Sequence, residues 1–143
     1  MTQVEQYKVV QTDNYNRETR AERNSSMLHA RLVILESPYA GDIERNIAYA
    51  RAAMTNSLNL GECPFLGHLL YTQVLDDLEP AQRAAGIAAH LAWMRRADGV
   101  VVYTDLGISP GMEAGIAQAK LLSLPLTYRT LYGWCPEATL AGR

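Results

Sequence analysis

The chain has 143 residues, 48% of them hydrophobic and 20% charged, with a formal net charge of −2. That size predicts one domain, able to bury roughly two-thirds of its unfolded surface, and the charge balance leaves no basic stripe for the backbone of a nucleic-acid polymer. No apolar run approaches the roughly 18 residues of a membrane span, and MTQVEQYKVVQ lacks the charged-then-apolar order of a secretory signal, so the expectation is a cytoplasmic protein with no membrane partner.

Residues 1–29 separate from the rest in composition. Tyr7–Gln11 can form a short strand, and TDNYNRETRAERNSS after it is polar without periodicity. This segment reads as an arm, either mobile or paired across an oligomer interface. Residues 30–143 then form one α/β domain. Leu32-Val33-Ile34-Leu35 is an apolar run of strand length stopped by Ser37-Pro38. Asp42 can cap a helix in which Ile43, Ile47, Ala50, Met54 and Leu58 recur at helical spacing, with Gly61 as its stop.

Glu62-Cys63-Pro64-Phe65 is a weak strand, since Pro64 cannot donate to a ladder. The segment Leu66–Leu78 reads as a short helix or a lid-like loop. Pro80 then starts a helix through Arg96 with Ala84, Ile87, Leu91 and Met94 on one face, ended by Asp98-Gly99. A strand at 100–104, on the continuous apolar block Gly99–Tyr103, a helix at about 110–122 and a last strand Leu124–Arg129 complete the alternation. Continuous apolar strands alternating with helices predict a Rossmann-like, flavodoxin-like doubly wound parallel sheet of four to five strands, with ligands at the carboxyl ends. Cys63 and Cys135 lie in unrelated contexts and read as reduced structural thiols rather than a disulfide or zinc site.

Three loops follow strands and should converge on one crevice: SPYAGD at 37–42, PFLGHLLY at 64–71 and TDLGISPGM at 104–112. On the first, Tyr39, Gly41, Asp42 and Asn46 offer an aromatic face, a close backbone approach and polar groups at a helix start, although Asp42 serves equally well as a plain helix cap. His68 lies between glycine and proline breaks, whereas His90, in mid-helix, reads as a satisfied or solvent-facing helix residue. On the third loop Gly107, Ser109, Pro110, Gly111 and Met112 supply a flexible turn, an N-cap and a helix start whose N–H groups point into the crevice. Two carboxylates flank that unit. Asp98 can simply end its helix in a turn, and Glu113 can simply favour the positive end of the helix dipole, an effect of about 0.3–1 kcal/mol. Asp76, Asp77 and Glu79 ahead of Arg83 read as a solvated face. No ligand spacing of the HxH, HExxH or DxD type occurs, so no metal and no cofactor are expected.

The segments ESPYAGD, Asn46, PFLGHLLYTQ, RRADGVVVY and GISPGMEAGIAQA, spread between Arg31 and Arg129, together resemble the nucleoside 2-deoxyribosyltransferase-like superfamily, most closely its small phage and bacterial branch of uncharacterised domains. The resemblance implies a Rossmann-like sheet, usually dimeric or built from dimers, that binds nucleosides or nucleoside monophosphates and cleaves or exchanges the N-glycosidic bond with a glutamate nucleophile. It also implies that Ser37–Asp42 approaches base and sugar, that Asp98 lies near the sugar, and that Ser109 and Gly111 approach a sugar hydroxyl or 5′-phosphate. The family's glutamate falls where this chain has Gly115. Glu113, two residues earlier, projects about 200° away around a helix. Glycine in a helix costs about 1 kcal/mol relative to alanine, which points to close packing or an enlarged pocket at 115.

Two readings follow. One is a nucleotide N-glycosidase or deoxyribosyltransferase with Glu113 or Asp98 as the essential carboxylate. The other is a non-catalytic sensor or sponge, for a cyclic or ADP-ribose-type nucleotide among others, holding phosphate at Ser109 and base near Tyr39 or His68. Gly115 favours the second, and the rest of the pattern the first. A bare interaction protein is disfavoured by the density of polar loop residues. The expected partners are a small-molecule nucleoside or nucleotide and a second copy of the chain, since open sheets of this size commonly bury helix faces in a homo-oligomer.

Overall fold

The computed structural model describes residues 22, 28–131, 134 and 135, and the expected strand at Tyr7–Gln11 lies outside them. The domain runs β1 (Leu32–Glu36), α1 (Ile43–Asn59), β2 (Cys63–Phe65), α2 (Gly67–Leu70), a 3-10 turn at Tyr71–Gln73, α3 (Pro80–Trp93), a second 3-10 turn at Met94–Arg96, β3 (Gly99–Tyr103), α4 (Pro110–Leu121) and β4 (Leu126–Arg129). The four strands form one sheet in the order β2-β1-β3-β4, and every neighbouring pair is parallel. Its topological switch point is the β1/β3 boundary, where chain order reverses and ligand crevices open. No helix among the described residues is long and apolar enough to cross a membrane.

Side chains alternate across the sheet. Val33, Leu35, Val101 and Tyr103 face α1 and pack with Tyr49, Ala50 and Ala53. Ile34, Val100 and Val102 face the other way, against Met94, Met112, Ile116 and Ala119 beside α3 and α4. Each such aliphatic side chain contributes roughly 1.5–3 kcal/mol on full burial, so the two layers fix which residue of each strand points where. The ladder carries β1 one residue past its apolar run, pairing Glu36 with Val102. By parity with Ile34, Glu36 points to the α3/α4 side.

Several elements depart from expectation for local reasons. The inward face of α1 is Asn46, Tyr49, Ala50, Ala53 and Ser57, while Ile43 and Leu58 are exposed. Small residues let the helix sit close to the sheet, and the two polar ones bury their hydrogen bonds. Gly61 follows the last turn of α1 with φ of 81°, the left-handed stop that a β-carbon disfavours. The segment after β2 is helical, first α2 and then the 3-10 turn. β4 starts at Leu126 because the Leu124 N–H caps α4 at Ala119 O, and the ladder begins with Val100 N–H donating to Pro125 O.

Candidate functional site

A cleft of about 180 Å³ opens at the carboxyl ends of β1 and β3. Its floor is Glu36 and Ser37, its sides are the β1 loop, α2 with the turn after it and α3, and its far rim is the start of α4 at Ser109–Met112. The walls are chiefly apolar, with Tyr39, Tyr71, Leu75, Ile87 and Leu91, so the few polar groups inside act in a medium poorer in water than bulk.

The deepest polar unit is Glu36 with His90. Glu36 is 4% exposed and its Oε1 lies 2.6 Å from His90 Nε2. The other imidazole nitrogen faces a backbone donor, with Gly67 N–H donating to His90 Nδ1 at 3.2 Å. An N–H can only donate, so Nδ1 accepts, the ring proton sits on Nε2, and Nε2–H donates to the carboxylate. Two glycines leave the pair its space. A β-carbon on Gly67 would stand 2.4 Å from His90 Nδ1, and one on Gly115 would stand 2.3 Å from Glu36 Oε1. The glycine in the middle of α4 is therefore a close approach of the helix backbone to a carboxylate arriving from β1.

Beside this pair, Ser37 Oγ lies 2.7 Å from His68 Nε2. Burial, with a smaller contribution from the neighbouring His90, pushes the His68 pKa down to about 3, so the ring is uncharged at neutral pH although one edge remains open to the cleft. Among the described residues no carboxylate orients its Nδ1, so Ser37 and His68 lack the third member of a nucleophilic triad. On the rim, Ser109 Oγ accepts from Met112 N–H at 3.3 Å while Ser109 N–H points at Met112 Sδ, which fixes the start of α4. The Ser109 hydroxyl proton stays available to a ligand. Arg83, paired with Asp77 at 2.9 Å, supplies the cation of the cleft wall.

Of the residues nominated by sequence, Ser37, Tyr39, His68, Ser109, Gly111 and Met112 line this cleft. The others stand elsewhere. Asp42 caps α1 by accepting from Arg45 N–H at 3.2 Å. Asn46 is buried beneath the β1 loop and its Nδ2 donates to Tyr39 O and Ala40 O, so it shapes the loop from behind. Gly41 and Gly107 hold left-handed turns with φ of 99° and 81°. Asp98 lies at the amino end of β3, where its Oδ2 accepts from Leu32 N–H at 2.8 Å, away from the cleft. Glu113 is exposed on α4 and is absent from the cleft lining. Glu36, Gly67, Tyr71, Arg83 and His90 line the cleft without having been nominated. The available signal for Glu36 was a charged residue directly at the carboxyl end of a buried strand. Among the described residues no three His, Cys, Asp or Glu side chains form a metal-holding group.

No curated protein matches the chain. Residues 31–129, which contain all four strands and the whole cleft lining, match the family model of DUF7768, a domain of unknown function, and the chain belongs to that family.

Proposed function

We propose that the cleft binds a nucleoside or nucleoside monophosphate and that the protein cleaves or exchanges its N-glycosidic bond. The observation that carries this reading is a carboxylate, Glu36, on the floor of a mainly apolar cleft at the switch point of a parallel sheet. Breaking a glycosidic bond builds positive charge at the anomeric carbon, and a carboxylate beneath that carbon stabilises the charge or attacks it. Tyr39 offers a ring for the base, and the Ser109 hydroxyl with the first N–H groups of α4 suits a 5′-phosphate. The resemblance to the nucleoside 2-deoxyribosyltransferase-like superfamily points the same way. Self-association belongs to the same proposal, supported by exposed Val74, Leu78 and Leu121, and light scattering of the purified chain checks it.

A thermal-shift screen against nucleosides, nucleoside monophosphates, cyclic nucleotides and ADP-ribose, followed by chromatography of each stabilising compound, tests the reading. Stabilisation grows with ligand concentration over Kd. A compound that stabilises the protein and loses its base supports the glycosidic reaction. One observation favours a ligand-holding protein instead, namely that α4 carries Gly115 where the resembled enzymes keep a glutamate. A compound that stabilises and is recovered intact decides for that second reading.

A further inference from the structure

Glycine at 115 and glutamate at 36 occupy one volume. Any side chain on position 115 begins 2.3 Å from the present Glu36 Oε1 and 2.6 Å from its Cδ, so the strand carboxylate and a helix side chain exclude one another. We infer that Glu36 is the catalytic carboxylate of this cleft, delivered from the end of β1 into the room that Gly115 leaves on α4. This rests on the glycosidic reading above.

Three features fit Glu36 for that role. Its backbone is fixed by the β1–β3 ladder at the switch point. One oxygen, Oε1, is held by His90 Nε2–H, and His90 is in turn held by Gly67 N–H, so the carboxyl plane is set before a ligand arrives. The hydrogen bond to His90 leaves Oε2 to meet a ligand. In the first step Oε2 attacks the anomeric carbon and the carbon–nitrogen bond breaks. Its electron pair leaves on the base nitrogen, which takes a proton from water. In the second step a water oxygen attacks the same carbon and gives its proton to the hydroxide left by the first step, and the ester carbon–oxygen bond breaks with its pair returning to Glu36. In exchange, the nitrogen of a second base takes the place of that water.

The experiment compares wild type, Glu36→Gln, Glu36→Ala and Glu36→Ala/Gly115→Glu on the common nucleosides and nucleoside 5′-monophosphates. Free base is read by chromatography, and binding of the same compounds by thermal shift. Glu36→Gln keeps an acceptor for His90, so it should retain the ligand shift while base release falls about a thousandfold or more. The double variant, with its carboxylate returned to the helix, should recover about tenfold or more over Glu36→Ala. Base release that survives Glu36→Gln overturns the assignment of Glu36 and leaves the glycosidic reading standing. A wild type that is stabilised by these compounds and never releases base overturns both. Should the double variant fail to fold, Gly115→Ala and Glu36→Ala/Gly115→Ala replace it: the melting temperature should fall in the first and recover in the second, and a fall without recovery contradicts the shared volume.

Discussion

Two glutamates are buried against opposite faces of the same sheet, and they are treated differently. Glu62 is 6% exposed and both its oxygens are taken: Arg129 Nη1 donates to Oε1 at 2.7 Å, Arg129 Nη2 to Oε2 at 3.3 Å, and Ser57 Oγ to Oε1 at 2.9 Å. Burial alone would raise its pKa, but the hydrogen bonds from Arg129 and Ser57 outweigh it and hold the carboxyl below its usual range. Arg129 also donates to Tyr103 OH, and Tyr103 OH donates to Asn56 Oδ1, so this side is a closed network tying both sheet edges to α1. Glu36, with 4% exposure, has an imidazole N–H in place of a guanidinium and a cleft in front of it. A carboxylate saturated by a cation is a structural lock. One held at a single oxygen on the floor of a cleft has capacity left for a ligand.

The sharpest way to break this contrast is to unlock the first glutamate. Arg129→Met leaves buried Glu62 with only the longer, half-exposed Arg31 pair at 4.0 Å and should cost about 3–5 kcal/mol in urea unfolding, while the thermal shift given by a cleft ligand persists in the surviving folded protein. Loss of the ligand shift without loss of stability would reverse the two roles.

Acid should separate the two sides next. The unfolded chain binds a proton at His68 below its ordinary pKa of 6.5, whereas the folded chain does so only near 3, so the unfolded state holds more protons across that window. Stability is then fully present above pH 6.5 and falls as the pH drops toward 3. His68→Gln should flatten that upper part of the profile. Glu62, whose folded pKa is depressed, contributes a further loss at the acid end as the pH falls through its folded value, and that part should remain in His68→Gln. Urea midpoints measured from pH 7 down to about 2.5 check both.

Smaller effects test the cleft alone. Gly67→Ala places a β-carbon against the His90 ring and should cost about 1–3 kcal/mol by overpacking, with the ligand shift reduced because the ring that holds Glu36 is displaced. Ser109→Ala should weaken a phosphate-bearing ligand by about 1 kcal/mol and leave the matching nucleoside unchanged, as isothermal titration of the pair reports. An equal loss for both would remove Ser109 from phosphate recognition.

Much of the frame was legible because apolar blocks, caps and breakers agree locally. The apolar block Gly99–Tyr103 reads as a doubly covered strand and is one, Asp42 and Ser109 cap the helices they precede, and Gly61 stops α1. What failed was the face of α1: periodicity of large apolar residues pointed to Ile43 and Leu58, whereas the helix turns Asn46 and Ser57 inward because their partners, the β1 loop and Glu62, are supplied by tertiary structure. The cleft divides in the same way. Residues on loops after strands could be nominated from position alone. Glu36 ended an apolar run read as stopping at Leu35, and only its parity with Ile34 would have aimed it at α3 and α4. His90 looked like any polar residue of a helix, since its partners lie 54 and 23 residues away in the chain. Gly115 signalled close packing without saying against what.

The most direct test of the account is a crystal structure of the protein with the nucleoside monophosphate that raises its melting temperature most. The account predicts the ligand in the cleft with its anomeric carbon within about 3.5 Å of Glu36 Oε2 and its base against Tyr39. A ligand bound outside the cleft, or one whose sugar is turned away from Glu36, would contradict it.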